Sequence, residues 1–493
     1  MAYQRTHVTI ARIAALAALA PLALPATARA QAAGLNLPDI APPGHNPVLY
    51  EIGASTSADR IETYLTALVG FGTRHTASDT VSDTRGIGAA RRWIHSEFER
   101  ISADCGGCLD VFYVGDVVEA GRLPGPTRVV NVVAVQRGTT DPNRYILMGG
   151  HYDSRNSDGG DAEGDAPGAV DDGSGTVATI EAARVLSQYD FDASLVYVGF
   201  AGEEQGLLGA EILARHALEN GWDIEAVLSN DIVGNTQGLN GAYDNLTVRV
   251  FSEGIRADET ERMGAIRRST GGEVDSPSRN LARYIETIAD QHMRTLDVMM
   301  IYRQDRFGRG GDHRAFNALG FPAVRFSETH EDYDHQHQDI RTEDGVFYGD
   351  VLAEAEFGYI AKVAGLNAAT MASLAWAPPP PTDVDIDDSR DRSPTLAWEA
   401  IDPARAPDLA GYKVYWRTTT SPTWENSIFV GDRTEYTVQD LIIDNLFFGV
   451  ASVSEDGFES PIVFPGPLGE FTPASRQATE GSSSGGGAAG SPR

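Results

Sequence analysis

Four short runs carry the residues able to do chemistry: Gly149-Gly150-His151-Tyr152-Asp153, Asp171-Asp172 within PGAVDDGSG, Gly202-Glu203-Glu204, and Asn230-Asp231. Each has an ordinary structural use when taken singly. A lone histidine is most often a satisfied core residue, an Asp-Asp pair caps a helix, and a Glu-Glu pair opens a solvated one. Three of the runs, however, follow directly on apolar strand candidates, Tyr145 to Met148, Leu195 to Phe200 and Val227 to Ser229. If those strands lie parallel in one sheet, their carboxyl ends converge and gather an imidazole and several carboxylates in one cleft. So many acids in one place repel one another unless cations neutralise them. A metal ion held by oxygen and nitrogen donors with an open position would acidify water, which is hydrolytic chemistry. No serine elbow competes with this reading, since Ser174 lies in DGSG and not in Gly-x-Ser-x-Gly.

The elements that must position these residues alternate. Apolar runs at Val129 to Val135, Tyr145 to Met148, Leu195 to Phe200, Val227 to Ser229 and Ala323 to Phe326 read as strands, with helical periodicity between them, as from Thr176 to Gln188. Two further helices are expected earlier, at Asp59 to Val69 and Gly86 to Ile101. The alternation predicts a doubly wound, mostly parallel α/β sheet with helices on both faces and its site off the carboxyl ends of the strands. This unit is placed at 45–376 and a proline-rich linker at 377–381. Residues 382–472 then read as a small all-β sandwich, with strands at Thr395 to Trp398, Gly411 to Trp416, Glu435 to Val438 and Phe447 to Val453. A Gly/Ser-rich tail, 473–493, is expected to be disordered.

The chain opens with a basic segment, an apolar run from Ile13 to Pro25 and Ala28-Arg29-Ala30, which reads as a cleaved leader over residues 1–30. That places the mature protein outside the cell or in a periplasm. The apolar run is too short for a membrane span. Formal charge is −31, from 39 basic and 70 acidic residues, which argues against nucleic acid or an acidic membrane as a partner. Cys105 and Cys108, the two cysteines, are expected to form a short-loop disulfide. They are too few for a structural zinc site.

In order along the chain, HYDS, GAVDDGSG, FAGEEQGLLGA and SNDIVGN resemble the co-catalytic di-zinc aminopeptidase family that also contains glutamate carboxypeptidase II and the glutaminyl cyclases. The likeness runs from about Tyr64 to Leu374. It implies two zinc ions per chain, with His151 and Asp231 on one, Glu204 on the other and Asp171 bridging, and a cis peptide at Asp171-Asp172. The remaining ligand is a histidine after the last sheet strand. The family spacing His-x3-Asp selects His335 with Asp339, and His337 is the next candidate. Asp153 and Asp339 are expected to accept from the ligand imidazoles, and Gly310-Gly311-Asp312-His313 to line the substrate side. The resemblance makes Glu203 the general base and peptides the substrates. An aminopeptidase is the first expectation, with a carboxypeptidase of the glutamate carboxypeptidase type, a glutaminyl cyclase or a non-catalytic ectodomain as alternatives. The C-terminal strands resemble a fibronectin type III module, which implies contact with polymers or surfaces.

Overall fold

The computed structural model describes residues 41–44, 46–387 and 392–477. The expected leader lies outside the described residues, as does the chain beyond 477.

Eight strands form the main sheet: β1 Leu109–Val118, β2 Thr127–Gln136, β3 Asp141–His151, β4 Ala193–Phe200, β5 Asp223–Asn230, β6 Thr247–Phe251, β7 Asp297–Ile301 and β8 Ala323–Glu328. Their order across the sheet is β1-β2-β4-β3-β5-β8-β6-β7. The central four, β4, β3, β5 and β8, are parallel to one another. β2 joins β4 antiparallel on one side and β6 joins β8 antiparallel on the other.

The central strands are apolar throughout because both of their faces are covered; every residue of β4 is buried. The chain passes from β3 to β4 in one direction and back across β3 to β5 in the other. Right-handed crossovers therefore send the helices that follow β3 and β4, Ser174–Leu186 and Leu208–Glu219, to opposite faces. The first packs against helix Phe357–Trp376, most of which is buried, and the second against helix His313–Ala318.

All five strands expected in this unit are present. β1, β6 and β7 were not anticipated. β1 pairs antiparallel with β2 along its whole length but leaves much of itself exposed, so it lacks the apolar run of a central strand. It follows the Cys105–Cys108 disulfide, which is formed.

Two short strands, β9 Arg341–Glu343 and β10 Val346–Tyr348, make a hairpin beyond β8. The C-terminal unit consists of two three-stranded antiparallel sheets. One contains β11 Asp385–Ile386, β12 Thr395–Ala397 and β15 Glu435–Thr437; the other contains β13 Leu409–Thr418, β14 Asn426–Gly431 and β16 Leu446–Ser454. Leu396, Trp398, Tyr412, Val414 and Phe448 belong to the core they share.

The prolines do not act as a spacer. Pro378, Pro379 and Pro381 are buried, and Ser452 Oγ donates to Pro379 O at 2.8 Å. A polar seam joins the two units. Asp275, fully buried, receives both oxygens' worth of hydrogen bonds from Arg417 at 2.8 and 2.9 Å, and a further one from Arg283 at 2.8 Å. Arg283 also donates to Pro422 O, and Arg256 to Glu470 O and Thr472 O. The first residues assigned to the tail are folded too: Ala474 N donates to Asp258 at 2.7 Å.

Removing one partner of a buried ion pair strands a charge away from water, at a cost of about 3–5 kcal/mol. Because Arg283 remains on Asp275, Arg417→Ala is expected to destabilise the full chain by about 3 kcal/mol, the low end of that range. Denaturant unfolding of the two proteins measures it.

Candidate metal centre

Each candidate ligand is delivered by the end of a strand. His151 is the last residue of β3 and sits in register with Phe200, the last of β4; Glu203 and Glu204 lie just beyond. Asp231 follows the last residue of β5. Asp171 lies in the turn before helix Ser174–Leu186, and its peptide bond to Asp172 is cis.

The close fit of this corner explains two of its glycines. A Cβ on Gly150 would lie 2.4 Å from the Gly175 carbonyl carbon, and one on Gly175 would lie 2.4 Å from Asn230 O. Any larger residue at either position would push the helix start away from the strand ends.

Three side chains fix the turn that carries Asp171. The Asp172 carboxyl accepts from the backbone N–H groups of His151 at 3.0 Å, Gly175 at 2.9 Å and Ile232 at 3.2 Å. Asp350 accepts from Val170 N and Asp171 N, both at 2.8 Å. Burial pushes the Asp350 carboxyl up to about 7. Arg74, fully buried, donates to the carbonyls of Tyr152, Pro167 and Gly168. Neither Asp350 nor Arg74 was anticipated; each stands far from the motifs and acts through backbone groups, so no residue pattern announces it.

Two three-donor groups result, His151 with Asp171 and Asp231, and Asp171 with Glu204 and His337, with all ligand atoms of a group within 4.8 Å of one another. His151 Nε2 lies 3.2 Å from Asp171 Oδ1 and 3.8 Å from Asp231 Oδ1. His337 Nε2 lies 2.9 Å from both Asp171 Oδ2 and Glu204 Oε1. Despite that closeness, His151 Nε2 and Glu204 Oε1 are buried without a hydrogen bond of acceptable geometry. Buried polar atoms converging on a common point without bonding one another fit a cation.

The expectation for His335 is corrected here. Its Nδ1 faces Asp332 at 3.7 Å and Glu354 at 3.6 Å, and its ring lies against Phe347. His337 occupies the place in the cluster instead. The cause is local: His337 has φ +54°, a left-handed backbone that breaks the turn begun at Asp332 and turns the side chain into the cleft. Spacing along a sequence does not encode that reversal.

The other expected positions divide. Asp153 binds the backbone N–H groups of Glu203 and Glu204, each at 3.2 Å, and His151 Nδ1 is 3.1 Å from the Asp153 carbonyl and 3.6 Å from its carboxylate, so both groups of that residue face the ring. Asp339 accepts from Ser157 Oγ at 2.8 Å and is not the partner of a ligand imidazole. Of the Gly310 to His313 run, Gly310 lines the cleft, while Asp312 and His313 are buried beneath it. His313 Nε2 is 2.8 Å from Gln304 O, and burial brings its imidazole down to about 4.

Glu203 and Glu204 separate in role by position. Both line a cleft of about 730 Å³ together with Asp171, Asp231 and His337, but Glu203 belongs to neither donor group. Burial pushes its carboxyl well above the usual range, reinforced by Asp231 and Glu204.

A cleft at the carboxyl ends of parallel strands, floored by carboxylates and imidazoles that fit cations, defines a metal-dependent hydrolase. Residues 131–344 match the description of peptidase family M28. A probable zinc metalloprotease of Leptosphaeria maculans is 44% identical over 415 residues, covering 83% of this chain and 95% of that protein. A second, from Pyrenophora teres f. teres, is 43% identical over 418 residues, covering 83% and 85%. The chain belongs to peptidase family M28 and is a zinc metallopeptidase. Among solved structures, the LapA aminopeptidase of Legionella pneumophila is similar with a TM-score of 0.49 at 22% identity, covering 69% of this chain and 77% of that one.

His337→Ala is expected to lower zinc content by removing one donor of the Asp171, Glu204 and His337 group, and His335→Ala to leave it unchanged. Metal analysis of the dialysed proteins distinguishes them; zinc lost only from His335→Ala would return the ligand to that position.

Proposed function

We propose that the chain is an exported aminopeptidase that holds two zinc ions and releases N-terminal residues from peptides. The observation carrying this reading is the pair of three-donor groups sharing Asp171. His151 and Asp231 would hold one ion, Glu204 and His337 the other, with Asp171 common to both. Zinc bound there would supply Lewis acidity, which favours ionisation of water and polarises a carbonyl.

The chain's own part in the reaction falls to Glu203. Its carboxylate takes the proton from the water that adds to the carbonyl carbon. It then returns that proton to the amine nitrogen as the C–N bond breaks. Arg325, fully buried and 3.0 Å from Asp231 Oδ1, fixes that side chain from behind. Asp153 fixes the backbone of Glu203 and Glu204 and so keeps the base from drifting toward the ions. The resemblance carried by HYDS, GAVDDGSG, FAGEEQGLLGA and SNDIVGN supports the aminopeptidase reading over its alternatives. The leader over residues 1–30 and the disulfide support export. The two-sheet C-terminal unit, read as a fibronectin type III-like module, is bound into the enzyme by the seam and would present its outer surface to polymers or cell surfaces.

Glu203→Gln should keep its zinc and its fold while turnover falls by roughly 10²–10⁴-fold, the contribution of a positioned base. Glu204→Gln should instead lose zinc, since a neutral amide is a poorer ligand. Metal analysis beside kinetics on both variants tests the split, and the opposite pattern would exchange the two roles. Phenanthroline should abolish hydrolysis of peptides with free N-termini and added zinc restore it. Faster cleavage of N-blocked peptides would overturn the aminopeptidase assignment.

A further inference from the structure

The walls of the cleft differ from its floor in the sign of their charge. Arg122, Arg155, Arg306, Arg309 and Arg314 line it, in a chain whose net charge is −31. The floor's own carboxylates, Asp171, Glu203, Glu204 and Asp231, are the groups that the proposed zinc ions neutralise. The wall arginines are left with a few shared carboxylates, and the exposed Arg122 and Arg314 with solvent, until a ligand enters.

The accounting can be followed residue by residue. Glu331 serves three guanidiniums at once: Arg249 at 2.7 Å, Arg306 at 2.8 Å and Arg309 at 3.3 Å. Burial works against its charge, but Arg306 and Arg325 hold the carboxyl below its ordinary range. Asp305, also close to Arg306, is shared with Arg325 at 3.1 Å. Arg122 donates to the backbone carbonyl of Glu204, and Arg314 makes a long bond of 3.4 Å to the carbonyl of Arg309. Among the described residues neither forms an ion pair. Arg155 Nε is 3.4 Å from Glu204 Oε2 yet is buried with no hydrogen bond.

Arg306 and Arg309 are also held in place, whereas Arg122 and Arg314 are exposed. The loop that carries Arg306 and Arg309 is tied down where Gly310 O accepts from Arg325 at 3.0 Å and from Arg306 at 3.4 Å. A fixed guanidinium offers two parallel donors that match a carboxylate, and a concave wall focuses its field on whatever enters.

We propose that the cleft selects peptides that carry a carboxylate beside the scissile bond, provided by an acidic side chain or by the free C-terminus of a short peptide. The proposal rests on the peptidase reading above and specifies its substrate class. Arg309 and Arg314, the wall arginines on the segment ahead of and within helix His313–Ala318, are assigned to that recognition.

The test uses the zinc-loaded full chain and two matched pairs of dipeptides. Ala-Glu amide against Ala-Gln amide isolates the side chain; Ala-Gln with a free carboxyl against Ala-Gln amide isolates the terminus. We expect kcat/KM to favour the carboxylate member of at least one pair by about tenfold or more, as a charge-assisted hydrogen bond allows, chiefly through KM. Added salt should shrink the preference. In Arg309→Gln/Arg314→Gln the ratio should fall toward one. Preference in the first pair alone assigns the carboxylate to the side chain, and in the second alone to the terminus. No preference in either pair, or a preference for the amides, overturns the proposal. Calorimetric binding of the same peptides to Glu203→Gln reads the selectivity without turnover. If that protein discriminates while the wild-type chain cleaves none of them, the peptidase reading fails and the charge selectivity stands.

Discussion

The Asp172 side chain is the knot of the catalytic unit. It receives main-chain N–H groups from His151 at the end of β3, from Gly175 at the start of the following helix and from Ile232 just past β5. Those three segments carry three of the candidate ligands, His151, Asp171 and Asp231. One carboxyl group therefore sets their mutual positions through backbone atoms and leaves their side chains free to face the cleft. Burial pushes its own pKa well above the usual carboxylate range, with Asp231 and Asp171 adding to the shift. Asp350 and Arg74 complete the same device on the far side of the turn.

Much of this could be read from the chain before any coordinates. The central strands were legible because strands covered on both faces must be apolar throughout, and the acids at their ends were conspicuous against those runs. Peripheral strands escaped notice for the converse reason: β1 is half exposed, and β6 and β7 have five residues each. Site residues divide in the same way. His151, Asp171, Glu204 and Asp231 sit at the termini of regular elements, where sequence position determines spatial position. His337 sits in an irregular loop with a left-handed backbone, and there a spacing rule pointed to His335 two residues early. Asp350 and Arg74 act by holding carbonyl and amide groups whose identities leave no trace in the residue types around them.

Charge in this molecule is managed mainly by arginine. Asp275 lies between Arg283 and Arg417, Glu225 faces Arg144 at 2.9 Å, and Asp231 faces Arg325 at 3.0 Å, all of them buried. A planar guanidinium can satisfy a buried carboxylate in two directions and still reach a carbonyl, as Arg144 does with Leu374 and Ala377. The apolar residues assemble the layers, while the Asp275–Arg417 pair, which crosses between the units, fixes which surface of one meets which surface of the other. The seam and the cleft walls thus draw on the same chemistry, as the pairing of Glu331 with Arg306 and Arg309 shows.

The seam also bears on the order in which the molecule is made. Asp275 meets Arg417 across 142 residues of sequence, and Arg283 meets Pro422 across 139. At ribosomal speeds of about 5–20 residues per second, the earlier half of each contact waits on the order of ten seconds for its partner to be synthesised. Once Trp376 has been made every cleft residue is present, yet a buried acid and the apolar edge around Trp376 still lack their covering. A nascent chain of this protein is thus complete in its chemistry before it is complete in its architecture, and the C-terminal unit acts as the closing step of assembly.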